Sequence, residues 1–179
     1  MGSNPTRTEY FKMIANKEKT IERLTNWMEN VLEKPREKLG GWPLCPFAKK
    51  ARTNNGIYIS FIDWTNIDEE IYKSLLNLEE KEVGVLLFDP EELNNNKLFD
   101  YIYHKNKKLV KKNYVLIMDH PDEKEELNGI STHFQYAGIV LVFKLDKLNS
   151  ATKLLKEKGY FKYWSKDRIE EGVNWRLKE

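Results

Sequence analysis

Cys45 is the residue whose type and position point most directly to chemistry. Pro46 follows it and suits the first position of a helix, so the sequence predicts a short helix with Cys45 at or next to its N-cap. A thiol there faces unpaired N–H groups and a partial positive charge, which favour the thiolate and lower its pKa. Lys49 and Arg52 add positive charge nearby. The alternative is that Cys45 is a small buried hydrophobic residue, as free cysteines often are.

His120 is the second candidate, and it lies between two carboxylates in the segment Asp119-His120-Pro121-Asp122. The segment follows a predicted strand and opens a long loop, where such folds usually place functional groups. A carboxylate raises the pKa of a neighbouring imidazole and orients its ring, so Asp119 or Asp122 would prepare His120 to act as a base or acid. The alternative is a solvated histidine in a turn.

Cys45 and His120 together predict nucleophilic catalysis, with the cysteine as nucleophile and the histidine as general base or acid. The backbone N–H groups of Phe47 and Ala48 at the helix start would stabilise an oxyanion. Trp42, in the loop before the cysteine, would line the pocket. The residues expected to bind the ligand are Trp42, Phe47, Lys49, Arg52 and His133.

A metal site is the alternative chemistry for the same loop. His133 follows His120 in the sequence, and Asp119 or Asp122 would complete a ligand set. The spacing matches no standard ligand pattern, so the leading hypothesis assigns no metal ligands.

Three segments resemble an uncharacterised bacterial family of similar length. They are Trp27 near the end of a predicted helix, the run Leu44-Cys45-Pro46-Phe47-Ala48-Lys49, and the later His120-Pro121-Asp122. The family is marked by an N-terminal tryptophan helix, an L-C-P-F-A motif and a downstream H-P-D segment. The resemblance implies that Cys45 and His120 belong to one site, and it implies no particular activity.

The composition suits a core under a charged surface. The 179 residues are 40% apolar and 32% charged, with a net charge of +2. A single cysteine excludes an internal disulfide framework and indicates a reducing compartment. Because no apolar run reaches about 18 residues and no secretory signal pattern is present, we expect a cytoplasmic protein without a membrane partner. Walker A, G-x-G-x-x-G, G-x-S-x-G and H-E-x-x-H motifs are absent from the sequence, which therefore predicts no cofactor.

The basic run from Lys105 to Lys112 lies at the carboxyl end of a predicted helix, where cations complement the helix dipole. It predicts a solvated, stabilising surface. With the small net charge it argues against a nucleic-acid partner, which would need aromatic residues alternating with basic ones on a strand. A small-molecule ligand and a homo-oligomer both stay open.

Periodicity and turn residues predict the elements that must position these side chains. An amphipathic stripe predicts an N-terminal helix over about 5–33, formed by Tyr10, Ile14, Ile21, Leu24, Met28 and Val31. Further helices are predicted at 65–77 with Thr65 and Asp68 as a capping box, at 89–112 opening at Asp89, at 146–158 ended by Gly159, and at 167–177. Strands are predicted at 56–64, 83–88, 114–118, 138–143 and 160–164, with a long loop over 119–136.

From residue 83 this order is the split βαβ order of a ferredoxin-like sandwich, so we expect an α+β fold with an extra strand and N-terminal helices. The alternative is a three-layer α/β fold with a mainly parallel sheet. We expect a single domain over 1–179, in which a helical extension at 5–55 packs on an α+β core at 56–179.

The leading functional hypothesis is a cysteine-dependent enzyme, a transferase, hydrolase or redox catalyst, acting on a small metabolite. One alternative is a non-enzymatic module that binds a ligand or partner and has Cys45 in its core. The other is a metal-dependent enzyme that uses His120 and His133.

Overall fold

The computed structural model describes residues 16–123 and 126–177. They form an α+β structure with six α-helices, a four-stranded mixed sheet and a separate two-stranded sheet. The α-helices are α1 (Lys17–Trp27), α2 (Ala48–Thr53), α3 (Ile67–Asn77), α4 (Asn95–Leu109), α5 (Leu145–Glu157) and α6 (Lys166–Gly172). The strands are β1 (Ile57–Phe61), β2 (Val83–Phe88), β3 (Tyr114–Asp119), β4 (Glu126–Leu127), β5 (Ile130–Ser131) and β6 (Gly138–Lys144).

The main sheet has the strand order β1-β2-β6-β3. β1 and β2 are parallel, and β6 is antiparallel to both β2 and β3. Because β2 and β3 oppose the same strand, β1, β2 and β3 all run in one direction. Their carboxyl ends therefore lie at the same edge of the sheet, where Asp119 ends β3 and the following loop begins.

Alternating side chains divide the sheet into two packed faces. On one face, Leu86 and Val140 join the core residues of α3 and α4, such as Ile71 and Leu98. The opposite face packs against the N-terminal segment, and its buried residues are Leu24, Met28, Ala48, Val83, Val85, Leu87, Phe134, Ala137 and Ile139. Helices therefore cover both faces of the sheet.

The exposed edge of β3 is closed by a side chain of α4. The side-chain amide of Asn106 donates to the carbonyl oxygen of Leu116 at 2.9 Å and accepts from its N–H at 2.8 Å. Asn106 is buried, so this pair of hydrogen bonds satisfies the N–H and the carbonyl oxygen of Leu116 on the edge strand.

The N-terminal helix is confirmed over its described part, where Asn16 caps α1. From Met28 to Leu32 the chain continues as a π-helix and stops before Pro35. Leu24 and Met28 are buried as predicted, whereas Ile21 is 37% exposed. Tyr10 and Ile14 lie outside the described residues.

Two predicted helix starts are wrong because nearby side chains cap different turns. The capping box before α3 is formed by Asp63 and Asn66, not by Thr65 and Asp68. The other helix was predicted to open at Asp89, but α4 begins at Asn95 under an Asn94 cap. The carboxylate of Asp89 instead accepts from the Glu91 N–H and closes a separate turn.

The long loop over 119–136 contains a hairpin that was not predicted from the sequence. β4 and β5 pair antiparallel around Asn128 and Gly129, which both have positive φ. Asn-Gly is the usual centre of a two-residue hairpin turn. Leu127 is buried with Leu39 and Leu44, which fixes the hairpin against the segment before Cys45.

The ferredoxin-like arrangement is not confirmed, because its predicted last strand is a 3₁₀-helix at Tyr160–Tyr163. Gly159 ends α5 with a positive φ as predicted, and Tyr160 then packs its ring against Phe161 and Trp164 instead of joining the sheet. The mainly parallel sheet of the alternative is also wrong, because both pairs made by β6 are antiparallel. The predicted terminal helix is α6 followed by a 3₁₀-turn at Asn174–Arg176.

Among the described residues, no helix combines the length and the apolar character that crossing a membrane requires.

Candidate metal centre

Cys45 lies before the short helix and not at its N-cap, which is Phe47. The sulfur packs against the core on the N-terminal face of the sheet. Burial raises the pKa of the Cys45 thiol, and hydrogen bonds from the backbone N–H groups of Phe47 and Ala48 offset this only in part. The expected lowering of the thiol pKa is therefore wrong. The two N–H groups assigned to an oxyanion bind the cysteine instead.

His120 is completely buried, and both of its ring nitrogens are occupied by the main chain. Its Nε2 lies 2.9 Å from the carbonyl oxygen of Leu93 and 3.3 Å from that of Pro90. Carbonyl oxygens only accept, so Nε2 carries the proton and donates it. Its Nδ1 accepts from the Asp122 N–H at 3.1 Å. His120 therefore ties the loop after β3 to the segment before α4.

The structure does not bring Cys45 and His120 into one site. The His120 ring packs near Phe88, and both Phe88 and Leu93 belong to the core under α3 and α4. Cys45 packs on the opposite face of the sheet. The fold thus separates the predicted nucleophile from the predicted base.

The two cations predicted to bind the ligand, Lys49 and Arg52, both lie in α2 but have different environments. Arg52 binds Glu33 through two hydrogen bonds of 2.8 and 2.9 Å and also contacts Glu29 at 2.8 Å. Lys49 is exposed. The charge of Arg52 is therefore already balanced by two carboxylates.

The two aromatic residues predicted to contact the ligand, Trp42 and Phe47, are half-buried. Trp42 packs edge-on against Tyr160 with 5.6 Å between the ring centroids. The Tyr160 hydroxyl donates to the carbonyl oxygen of Leu44, and Phe47 is half-buried. These contacts hold the segment around Cys45 against the region that follows α5.

Asp119, Glu123 and His133 form a cluster with one ligand atom from each side chain within 4.8 Å of the others. His133 Nδ1 donates to Asp119 Oδ1 at 2.6 Å and lies 3.8 Å from Glu123 Oε2. The side chains of His133, Asp119 and Glu123 are only 6%, 16% and 24% exposed. Two carboxylates thus face one imidazole in a largely enclosed setting.

Each member of the cluster is held by the fold. Asp119 ends β3, and its second oxygen accepts from the Phe134 N–H at 2.8 Å. Phe134 is itself fully buried and packs on Trp27, which fixes the chain next to His133. The Glu123 N–H donates to the carbonyl oxygen of His120 at 3.0 Å, closing a turn. His120 therefore positions the loop that carries Glu123.

Burial and the charges within the cluster shift the pKa values of His133 and Glu123. Burial alone would lower the pKa of His133, but the hydrogen bond and charge of Asp119, together with the charge of Glu123, outweigh it and raise the pKa. Burial also raises the pKa of Glu123, against the opposing charges of His133 and Arg168. Without a cation, the charge of the two carboxylates therefore favours the protonated form of the imidazole.

Two of these three residues were predicted from the sequence. Asp119 and His133 come together, whereas Asp122 is 75% exposed and lies 3.7 Å from His120. Glu123 was missed. It belongs to the acidic run that begins the loop, but the sequence has no signal to select one carboxylate of that run, because only the turn after His120 directs it inward.

Comparison of the chain with protein-family models, with curated proteins and with solved structures finds no match. The resemblance suggested by the L-C-P-F-A and H-P-D segments therefore stays a prediction. The geometry of the Asp119, Glu123 and His133 cluster is the main indication of function.

Proposed function

We propose that this protein is a metal-dependent enzyme whose metal ion is bound by Asp119, Glu123 and His133. The observation that carries the proposal is the approach of their three ligand atoms to within 4.8 Å of one another. One imidazole nitrogen and two carboxylate oxygens suit Zn²⁺, Mn²⁺ or Fe²⁺.

The distances fit such an ion. A metal at about 2.0–2.2 Å from each donor would hold neighbouring donors roughly 3 Å apart. The separations from His133 Nδ1, 2.6 Å to Asp119 and 3.8 Å to Glu123, lie on either side of that value. A small increase in the distance from His133 to Asp119 and a small decrease in that to Glu123 would complete the ligand set. The proton on His133 Nδ1 would be released as the metal binds.

The ligand number favours catalysis over a purely structural role. Three protein ligands leave coordination positions for water and substrate, as in catalytic zinc sites. A bound metal would supply an activated water for hydrolysis at neutral pH. The Phe134 N–H, which holds the second oxygen of Asp119, would orient that ligand.

The cysteine-dependent enzyme has less support from this geometry, because the Cys45 thiol pKa is raised and His120 is bound on both nitrogens. The packing of Cys45 against the core favours a structural role for this residue. That role is compatible with the metal-dependent enzyme and with a non-enzymatic binding module.

Isothermal titration of the metal-free protein with Zn²⁺ and Mn²⁺ tests the site. We expect one equivalent to bind the wild type, with an affinity that rises with pH as His133 releases its proton. Glu123→Gln and His133→Gln should each weaken binding by about 100-fold or more, since the loss of an outer-shell partner alone costs about 10–100-fold. Asp122→Asn is the matched control, since it removes one negative charge from the neighbouring position, which is 75% exposed.

Two results would contradict the proposal. The site is wrong if the wild type binds neither metal, or if Asp122→Asn weakens binding as much as Glu123→Gln does. The enzymatic part is wrong if the metal binds but no ester, amide or phosphate in a hydrolysis panel shows turnover that depends on it and on His133.

A further inference from the structure

We propose that the outward surface of α4 binds single-stranded nucleic acid. This surface, the α4 face, is defined by Phe99, Tyr103, His104, Lys107 and Lys108. It shares no residue with the candidate metal centre, so the two proposals are independent.

The charge of the protein is concentrated at this helix. Residues 97–112 contain six lysines and one aspartate, which sum to +5, whereas the whole chain has a net charge of +2. The remaining residues therefore carry −3. Within the described part of the chain, Lys105 pairs with Asp68, but Lys107, Lys108, Lys111 and Lys112 have no ion-pair partner. The small net charge, which from the sequence alone argued against a nucleic-acid partner, therefore hides a cationic surface suited to a polyanion.

Two aromatic rings lie exposed beside these lysines. Phe99 and Tyr103 are 59% and 53% exposed, one helical turn apart. Their rings are almost parallel, with 9° between the planes and 6.4 Å between the centroids. The Lys107 ammonium lies 4.1 Å from the centroid of the Tyr103 ring. Phe99, Tyr103 and Lys107 therefore form a row along the helix.

The fold of α4 does not require these rings. Its apolar contacts with the sheet are made by Leu98, Ile102 and Leu109, which are all buried. The two exposed rings lie outside that packed face. Adjoining exposed aromatic rings next to unpaired cations are typical of surfaces that bind a partner.

The combination of exposed aromatic rings and lysines on the α4 face favours nucleic acid over other polyanions. Exposed ring faces stack on bases, and lysines contact the phosphates between them, which is how single strands are bound without sequence preference. A groove of about 340 Å³ continues this surface and is lined by Tyr101, His104, Lys105, Lys107 and Lys108. An acidic polypeptide would neutralise the lysines but would leave the rings without stacking partners.

Fluorescence anisotropy tests the proposal with labelled oligo(U) and oligo(dT) of about 15 nucleotides, near the upper end of the site sizes of single-strand-binding OB folds. We expect binding at about 50 mM salt that weakens steeply towards about 200 mM. Phe99→Ala and Tyr103→Ala should each weaken binding at least fivefold. The double variant Lys107→Gln with Lys108→Gln should reduce the slope of log K against log salt by about 1.4, for two lost phosphate contacts.

Matched controls separate this surface from general attraction. Tyr72→Ala removes a tyrosine that is 61% exposed on α3. Lys153→Gln with Lys156→Gln removes two exposed lysines of α5. Both controls should leave the affinity within about twofold of the wild type, as surface changes outside a contact do.

Three results would overturn the proposal. One is no binding at about 50 mM salt with protein up to roughly 100 μM, the weak end of non-specific affinity. Another is equal weakening by the α4 and control variants. The third is competition by poly-glutamate or anionic vesicles as effective, per charge, as by oligo(U), which would assign the α4 face to another partner.

Discussion

The two histidines that follow β3 are both buried, yet they have opposite surroundings. His120 is bound by two main-chain carbonyl oxygens and one main-chain N–H. His133 faces the carboxylates of Asp119 and Glu123. Burial therefore does not distinguish a structural histidine from a functional one in this loop, whereas the charge of the partners does. Main-chain partners hold His120 in one tautomer, but carboxylates make His133 a site for a proton or a metal ion.

The largest expected effect is on stability, from His120→Ala. The substitution leaves a cavity and unpaired main-chain groups at Leu93 and Asp122, so we expect a loss of about 3 kcal/mol in the free energy of unfolding. Urea denaturation measures it. His104→Ala, on the exposed side of α4, is the control and should change stability by less than about 0.5 kcal/mol. A loss below about 1 kcal/mol for His120→Ala would show that the comparison between the two histidines is wrong.

The pH dependence of stability should report the titration of His133. Because its pKa in the folded protein is raised above 6.5, its contribution is fully present below about pH 6.5 and is lost as the pH rises through the raised value. The pKa of Glu123 is also raised, from 4.5, because burial disfavours its ionisation in the folded protein. Its contribution to stability is therefore also lost as the pH rises, starting at a lower pH than that of His133.

Denaturation of the metal-free protein between pH 6 and 9 measures this loss. A tenfold difference in the proton affinity of His133 between the folded and unfolded protein corresponds to about 1.4 kcal/mol. Asp119→Asn removes the carboxylate that contacts His133 and should flatten the curve. Saturating Zn²⁺ at the alkaline end should restore stability, by about 2.7 kcal/mol at 100 times its dissociation constant. A wild-type curve that rises across this range would contradict the assignment.

The smallest effect is expected from Asp122→Asn. Its carboxylate is 75% exposed and lies 3.7 Å from His120 Nδ1, so we expect a change in stability of less than about 0.5 kcal/mol. The main-chain N–H of residue 122, which donates a hydrogen bond to His120 Nδ1, is unchanged by the substitution. Thermal unfolding measures the difference. A loss comparable to that of His120→Ala would mean that the side chain, and not the main chain, holds His120.

Local patterns predicted the strands well. β2, β3 and β6 are confirmed, since each predicted run is short and rich in apolar and β-branched residues, which favour a strand. Errors arose where one pattern fits two structures. Asp89 and Pro90 suit a helix start, but the Pro90 and Leu93 carbonyl oxygens are bound by His120, which lies beyond α4 in the sequence. The aromatic run at Tyr160–Tyr163 suits a strand, but it packs as a 3₁₀-turn.

The site was only partly predictable for the same reason. Asp119 follows from its place at the end of a buried strand, and His133 from its chemistry. Their contact depends on Phe134, whose buried ring and N–H bring His133 to the Asp119 carboxylate. The pairing of Cys45 with His120 failed because no sequence pattern shows that they lie on opposite faces of the sheet.

The sequence by itself determined the class of fold, the main strands and the chemical types available in the loop after β3, since these depend on side chains within a few residues of one another. Only the tertiary structure decided which histidine is held by the main chain, which acid joins Asp119 and His133, and that Cys45 is remote from His120. Those outcomes depend on contacts between distant segments, which form when the sheet pairs β3 with β6 and covers each face with different helices.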